Sequence, residues 1–271
     1  NPGSVTSILG SNGAGKSTMI KLLCGLLKPT SGMVSIAGKN YRDHADEIKT
    51  ILGYVPEESA MYLDVTVMEY LLFFSRLYKI KDREAKPFIK QYAQRLELEG
   101  AFNKRLSELS KGMRRKVLII RSLLNDPSIL VFDEPASGLD PQTSQTILAF
   151  IEEMKQKGKT ILFSSHNLSH VQQIAERVII LRDGFVIADM SLHDLLKSHR
   201  KSFVIRERSA GTVKTHETSL SAVKEKLQAD PSSVVDISTK ETSLEEIYLT
   251  LIKGEVKDSH LEKLKEKYES S

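Results

Sequence analysis

A single cysteine, Cys24, among 271 residues excludes an internal disulfide and suits a reducing compartment. No apolar run approaches the roughly 18 residues that a membrane helix needs. The longest candidates, Val117–Leu124 and Val178–Leu181, are interrupted or closed by Arg121 and Arg182. The first ten residues lack the basic start and apolar stretch of a secretory leader. Neither sign of charge dominates: 39 basic against 35 acidic residues leave a net charge of +4, too little to argue for nucleic acid. There is no internal repeat and no low-complexity tract. Secreted, membrane-spanning and disulfide-stapled classes are excluded, and a soluble intracellular protein is the expectation. Apolar residues at 40% and charged residues at 27% are ordinary globular usage, and the length allows one large domain with a smaller appendage.

What is there begins with a short buried strand, Val5–Leu9, that runs into glycines. Apolar spacing from Met19 to Leu27 predicts a helix stopped by Pro29 and Gly32. Met33–Ile36 reads as a strand, Asp43–Thr50 as a helix and Ile51–Val55 as a strand closed by Pro56. From Thr66 to Leu124 the pattern is helical: Val67–Tyr78, Asp82–Leu96 and Lys111–Leu124. Strand-like runs return at Ile129–Phe132, Thr160–Phe163, Val178–Leu181 and Phe185–Ala188, with helices between the first three and a hairpin turn at Asp183-Gly184. Strands alternating with helices predict an α/β fold with a mostly parallel sheet, into which residues 65–124 are a helical insertion. After residue 190 the pattern becomes a small, polar β-α-β-α unit with strands at Ser202–Arg206 and Val234–Ile237, read as an accessory domain over 191–254. The remainder, 255–271, is a charged tail.

Gly10-Ser11-Asn12-Gly13-Ala14-Gly15-Lys16-Ser17 fits G-x-x-x-x-G-K-[ST] in full, between a strand and a helix. Gly13 and Gly15 let the backbone curl until successive N–H groups point inward at phosphate. The helix that follows, through Thr18, adds its positive dipole end. Lys16 supplies a charge to the β- and γ-phosphates, and Ser17 a hydroxyl to Mg²⁺. A glycine-rich turn with a surface lysine is the bland alternative; the pattern arises by chance in about one chain in a hundred of this length. The reading implies ATP and Mg²⁺ as cofactors.

A second constellation is the buried strand Ile129–Phe132 ending in Asp133-Glu134. Phosphoryl transfer needs one carboxylate near the metal and one group to orient water. Adjacent side chains of a strand point to opposite sides, so Asp133 can serve the metal and Glu134 the water. Without the phosphate loop, two solvated acids at a strand end would be the better account.

These residues resemble the ATP-binding cassette (ABC) ATPases over about Val5–Ala188. Gly53-Tyr-Val-Pro-Glu57 is similar to the family's Q-loop, Leu109-Ser110-Lys111-Gly112-Met113 to its signature motif, Ile129–Glu134 to Walker B, Ser137–Asp140 to the D-loop, and His166 stands where the switch histidine sits. The resemblance implies a P-loop NTPase (RecA-like) core with a helical insertion and the small C-terminal α+β accessory domain. It implies ATP hydrolysis, with Lys16, Glu134 and His166 as catalytic residues, and metal held by Ser17, Asp133 and Glu57. It also implies a head-to-tail homodimer in which Ser110 and Gly112 meet the γ-phosphate bound by the other subunit; on the residues alone, Ser110 is equally an ordinary helix N-cap.

The chain departs from the pattern at Glu57, where the family has Gln, and at Lys111 and Met113, where it has Gly and Gln. Leu-Ser-Lys-Gly-Met, with the C-terminal Thr242–Leu249, resembles the exporter branch whose cassette is a separate chain working with an ABC-2-type permease. That implies an integral membrane permease as partner, no nucleic acid, and a place on the cytoplasmic face of the cell membrane. Family members carry about two further strands before the phosphate loop, with an aromatic that stacks on adenine; only Asn1–Ser4 precede the first strand here, so those strands are expected to be missing, and no stacking residue is nominated. The alternatives are a soluble ABC-type ATPase without a permease and a nucleotide-binding fragment lacking activity.

Overall fold

The computed structural model describes residues 2–58, 60–198, 202–209, 212–218, 220–240 and 243–253. The charged tail at 255–271 and Thr242 lie outside the described residues. The chain divides into two compact units, Asn1–Asp189 and Met190–Ser271.

The first unit opens with β1 (Val5–Leu9), whose side chains are almost all buried, and α1 (Lys16–Leu23). The apolar spacing that predicted a helix as far as Leu27 overran it. Gly25 adopts φ +69°, a left-handed turn that costs glycine little and other residues more. The Leu26 and Gly25 N–H groups close back on Lys21 and Leu22 carbonyls at 2.8 and 3.1 Å, a glycine C-cap. The Tyr41 ring lies where any Cβ at Gly25 would stand. Leu26 and Leu27 are left exposed.

The strand expected at Met33–Ile36 shrinks to β2 (Ser35–Ile36), which pairs with β3 (Lys39–Asn40) in a two-residue ladder. Then follow α2 (Tyr41–Ile51), capped by Asn40 through a 3.0 Å bond from Asp43 N–H, and β4 (Leu52–Val55). The insertion comprises α3 (Val67–Leu77), α4 (Asp82–Arg95) and α5 (Lys111–Leu123). Its start is set by a reciprocal cap: Glu69 N–H donates to Thr66 Oγ1 at 3.3 Å while Thr66 N–H donates to Glu69 Oε2 at 2.8 Å.

The chain then returns to the sheet with β5 (Ile129–Phe132), α6 (Pro141–Gln156), β6 (Thr160–Ser165), α7 (Leu168–Ile174), β7 (Arg177–Arg182) and β8 (Phe185–Ser191). The six strands lie in the order β4-β5-β6-β1-β7-β8. The ladders from β4 to β7 are parallel. Such sheets bind ligands beyond the carboxyl ends of their strands, and the ends of β1, β5 and β6 carry Gly10, Asp133 and His166.

The second unit contains α8 (Leu192–Ser198), β9 (Ser202–Ser209), β10 (Thr212–Thr218), α9 (Leu220–Ala229), β11 (Val234–Lys240) and α10 (Leu244–Lys253). Its antiparallel sheet has the order β10-β9-β11. The expected β-α-β-α unit is therefore β-β-α-β-α after α8. The added strand β10, Thr-Val-Lys-Thr-His-Glu-Thr, carries one aliphatic residue, and backbone pairing with β9 rather than apolar alternation makes it a strand. Ile205, Val223, Leu244, Ile247 and Leu251 are buried in this unit.

Candidate nucleotide and metal site

Between β1 and α1 the loop Gly10–Gly15 curls around its own interior. Gly15 has φ +101°, which turns the chain so that α1 begins at Lys16 with its first N–H groups aimed into the loop. Gly13 is left-handed as well. Ala14 is buried; Ser11, Asn12 and Thr18 are exposed around it. Lys16 is only 7% exposed. Its ammonium donates to the Gly10 and Ser11 carbonyls at 2.9 and 3.2 Å and stands 3.8 Å from Glu134 Oε1. A buried ammonium held this way is positioned for an anion.

The two carboxylates at the end of β5 diverge. Asp133 continues the strand, its N–H bonded to the Val55 carbonyl at 2.8 Å. Glu134 turns into the left-handed region at φ +47°, a conformation costing a non-glycine residue roughly 1–2 kcal/mol and concentrated at functional sites. That turn separates their environments. Asp133 Oδ1 accepts from Ser17 Oγ at 3.3 Å and from Ser164 Oγ at 2.7 Å. Glu134 Oε2 is 2.9 Å from His166 Nδ1. His166 lies just beyond β6, its side chain 55% exposed against 8% for Glu134.

Ser17 and Asp133 are both hard oxygen donors, as Mg²⁺ demands. Neighbouring ligands of an octahedral Mg²⁺ with bonds of 2.0–2.1 Å are about 3 Å apart, and the ion keeps waters and phosphate oxygens for the rest. The 3.3 Å separation fits that ion. Glu57 is not brought there. Its side chain is exposed and borders a 390 Å³ groove with Glu58, Met61, Lys111, Arg114 and Arg115. Among the described residues no hydrogen bond or ion pair joins its carboxylate to Ser17 or Asp133.

Ser110 caps α5, its Oγ accepting from Met113 N–H at 3.2 Å. Gly112 is buried in the first turn with no room for a side chain beside Thr143. Both stand apart from the Lys16–Asp133–Glu134–His166 group. The Lys111 ammonium lies over Gly138, whose φ is +65°. A 340 Å³ cavity runs from Glu134 through Gly138 to Ser165, His166 and His170. Burial and the neighbouring His166 pull His170 below the ordinary imidazole value.

Two residues that sequence reasoning did not select complete the site. Ser164, fully buried, donates to Asp133 and accepts from Glu134 N–H at 2.8 Å, so one hydroxyl fixes both acids. Arg115, 3% exposed, donates to the Pro56 and Glu57 carbonyls at 2.6 and 2.5 Å and to the Asp133 carbonyl at 3.4 Å.

A family model described as ABC transporter matches residues 1–137. The chain belongs to the ABC transporter family. It is 39% identical over 199 residues to the ABC transporter ATP-binding protein NatA of Bacillus subtilis (strain 168), covering 73% of this chain and 81% of that one. It is 34% identical over 196 residues to the Nod factor export ATP-binding protein I of Burkholderia orbicola (strain AU 1054), covering 72% and 64%. A solved ATP-binding subunit of an ABC transporter superposes with a TM-score of 0.70 at 27% identity, over 93% of this chain and 89% of that one. The ATP-binding cassette MJ0796, solved as a dimer in a post-hydrolysis state with ADP and Pi, gives 0.64 at 30% identity, over 71% and 87%. The chain accordingly contains an ATPase cassette, a P-loop NTPase fold that binds and hydrolyses ATP to drive transport. No described helix is long and apolar enough to cross a membrane.

Proposed function

We propose that the chain is the Mg²⁺-dependent ATPase subunit of an exporter, bound to a membrane permease on its cytoplasmic face and working as a homodimer when ATP is bound. The observation that carries the reading is the convergence of Lys16, Ser17, Asp133, Glu134 and His166, from three segments, with successive contacts of 2.9–3.8 Å. Ser11–Thr18 wrap the phosphates with backbone N–H groups, and Lys16 meets the β- and γ-phosphates. Ser17 and Asp133 would hold Mg²⁺, which when bound would neutralise developing phosphate charge. Glu134, the acid turned away from the metal side, orients and accepts a proton from the attacking water. His166 steadies Glu134 and faces the γ-phosphate. Ser110 and Gly112 serve the nucleotide of the other subunit. The export direction is supported by the Nod factor export relative and by the Leu-Ser-Lys-Gly-Met signature.

The deciding experiment compares two substitutions. Glu134→Gln should keep ATP binding, lower turnover by about 10²-fold or more, and accumulate an ATP-bound dimer. Lys16→Ala should lose ATP binding itself, because the phosphate charge partner is gone. Turnover at the level of the unaltered chain in Glu134→Gln overturns the assignment of Glu134.

A further inference from the structure

Arg115 is a buried cation with no carboxylate in hydrogen-bond contact among the described residues. Its guanidinium instead gathers three backbone carbonyls: Pro56 and Glu57, just beyond β4, and Asp133, at the end of β5. Burial pulls its pKa down, and the charges of Glu57, Asp133 and Glu134 oppose that pull. Burying a cation is costly unless its donors are satisfied, and a planar fork with five N–H groups can bridge several acceptors as no ammonium can. The same residue lies on α5, five residues after its N-cap Ser110. α5 packs on α3 and α4, and Arg121 Nη1 donates to Tyr70 Oη of α3 at 2.8 Å. One guanidinium thus joins the segment around Glu57, the metal-side acid and the helical insertion.

We propose that Arg115 is a positioning residue that holds the backbone of Asp133 and of Glu57 in register, so that the metal carboxylate is aligned only while α5 and the segment at 56–57 are in place. The proposal rests on the reading that Ser17 and Asp133 hold Mg²⁺. It assigns to Arg115 the link by which displacement of the insertion is felt at the metal. Arg115 touches neither nucleotide nor metal in this scheme; it acts through two carbonyl groups of the Glu57 segment and one of Asp133.

The test uses the full chain with Arg115→Lys, which keeps the charge and loses the fork, and Arg115→Met, which loses both. ATP affinity is titrated with a fluorescent ATP analogue with and without Mg²⁺, alongside turnover and thermal melting. The affinity without Mg²⁺ should stay within about threefold, because the phosphate loop is untouched. The gain in affinity on adding Mg²⁺, and the turnover, should fall by about tenfold or more in Arg115→Met and by less in Arg115→Lys. A Mg²⁺ gain and turnover unchanged in both variants overturn the proposal. So does a parallel loss of affinity without Mg²⁺, or failure of both variants to fold, since either makes Arg115 a folding contact only. If the unaltered chain itself gains nothing from Mg²⁺, the metal reading falls, and this one with it.

Discussion

His166 Nδ1 lies 2.9 Å from Glu134 Oε2, while the other oxygen of the same carboxylate is 3.8 Å from Lys16 Nζ. The acid is therefore held at both oxygens, by one residue at the start of α1 and one just beyond β6. An ionised carboxylate can only accept, so opposite an ionised Glu134 it is Nδ1 that carries the proton and donates it. The exposure of His166 against the burial of Glu134 makes the imidazole the adjustable partner.

Removing that partner should leave the phosphate loop intact and free one oxygen of Glu134. His166→Ala is expected to lower kcat by about 10²-fold, the scale on which small misplacement of a reacting group acts, with KM for ATP changed little. Steady-state kinetics across ATP concentration separates the two constants. A kcat within threefold of the unaltered chain would show that Glu134 is oriented without His166.

Ser164 offers a test of how the two acids are kept apart. Its hydroxyl accepts from Glu134 N–H and donates to Asp133 Oδ1, both in the buried interior. Ser164→Ala leaves a buried N–H without its acceptor, at a cost of about 1–3 kcal/mol. The melting temperature should drop by several degrees and turnover should fall with it. Ser164→Thr, which keeps the hydroxyl, should recover most of the turnover if it packs. Unchanged melting in Ser164→Ala would mean that another acceptor reaches Glu134 N–H.

The sequence made the phosphate loop, the acid pair and His166 legible because each is a short run whose spacing carries the chemistry. It made α3, α4 and α5 legible because amphipathic spacing sets their lengths. Ser164 and Arg115 stayed hidden for the opposite reason. Ser164 is one of two adjacent serines with nothing local to distinguish them, and its partners are 30 and 31 positions away. Arg115 sits in the basic run Lys111–Lys116, where a solvated face is the ordinary account. The overrun of α1 shows a competition that spacing does not report: Leu26 and Leu27 continue the helical period, and Gly25 stops the helix before them. The strand β10 had no apolar signature to find.

Cys24 caps α1 behind the phosphate loop and packs on the cluster containing Ile8 and Ile20. Burial, with a smaller push from the Asp133 charge, raises its thiol from its ordinary value near 9 up to about 12. A group whose pKa is raised on folding contributes stability in full below the unfolded value, and that stability is lost as pH rises from 9 towards 12. The thiolate is the reactive form. At pH 8, alkylation of Cys24 in the folded chain should be on the order of a hundredfold slower than in denaturant. Equal rates would mean that the thiol is open to solvent. Cys24→Ser should flatten part of the stability loss above pH 9, measured by urea unfolding at several pH values.

The last prediction concerns the partner. Tyr62, Leu63, Phe73, Leu77 and Tyr78 are all exposed by 44% or more, on and beside the first helix of the insertion. Tyr62 and Phe73 meet edge-to-face with ring centroids 6.2 Å apart. Tyr62, at 66% exposed, is not buried in the described fold. Contiguous exposed aromatic and aliphatic side chains mark interaction surfaces, and aromatic residues and Met are enriched in interface cores. The segment follows directly on Glu57, so a partner seated there would press on the chain that Arg115 holds. The occupant expected on the proposed function is an apolar segment of the membrane permease. Tyr62→Ser with Phe73→Ser removes the ring pair from the surface, where substitutions usually change stability by less than about 0.5 kcal/mol. The double variant should melt within about 3 °C of the unaltered chain, bind ATP equally well, and lose permease co-purification and transport. If it still co-purifies at the original level, the permease docks elsewhere; if it unfolds, the rings belong to the insertion's own packing.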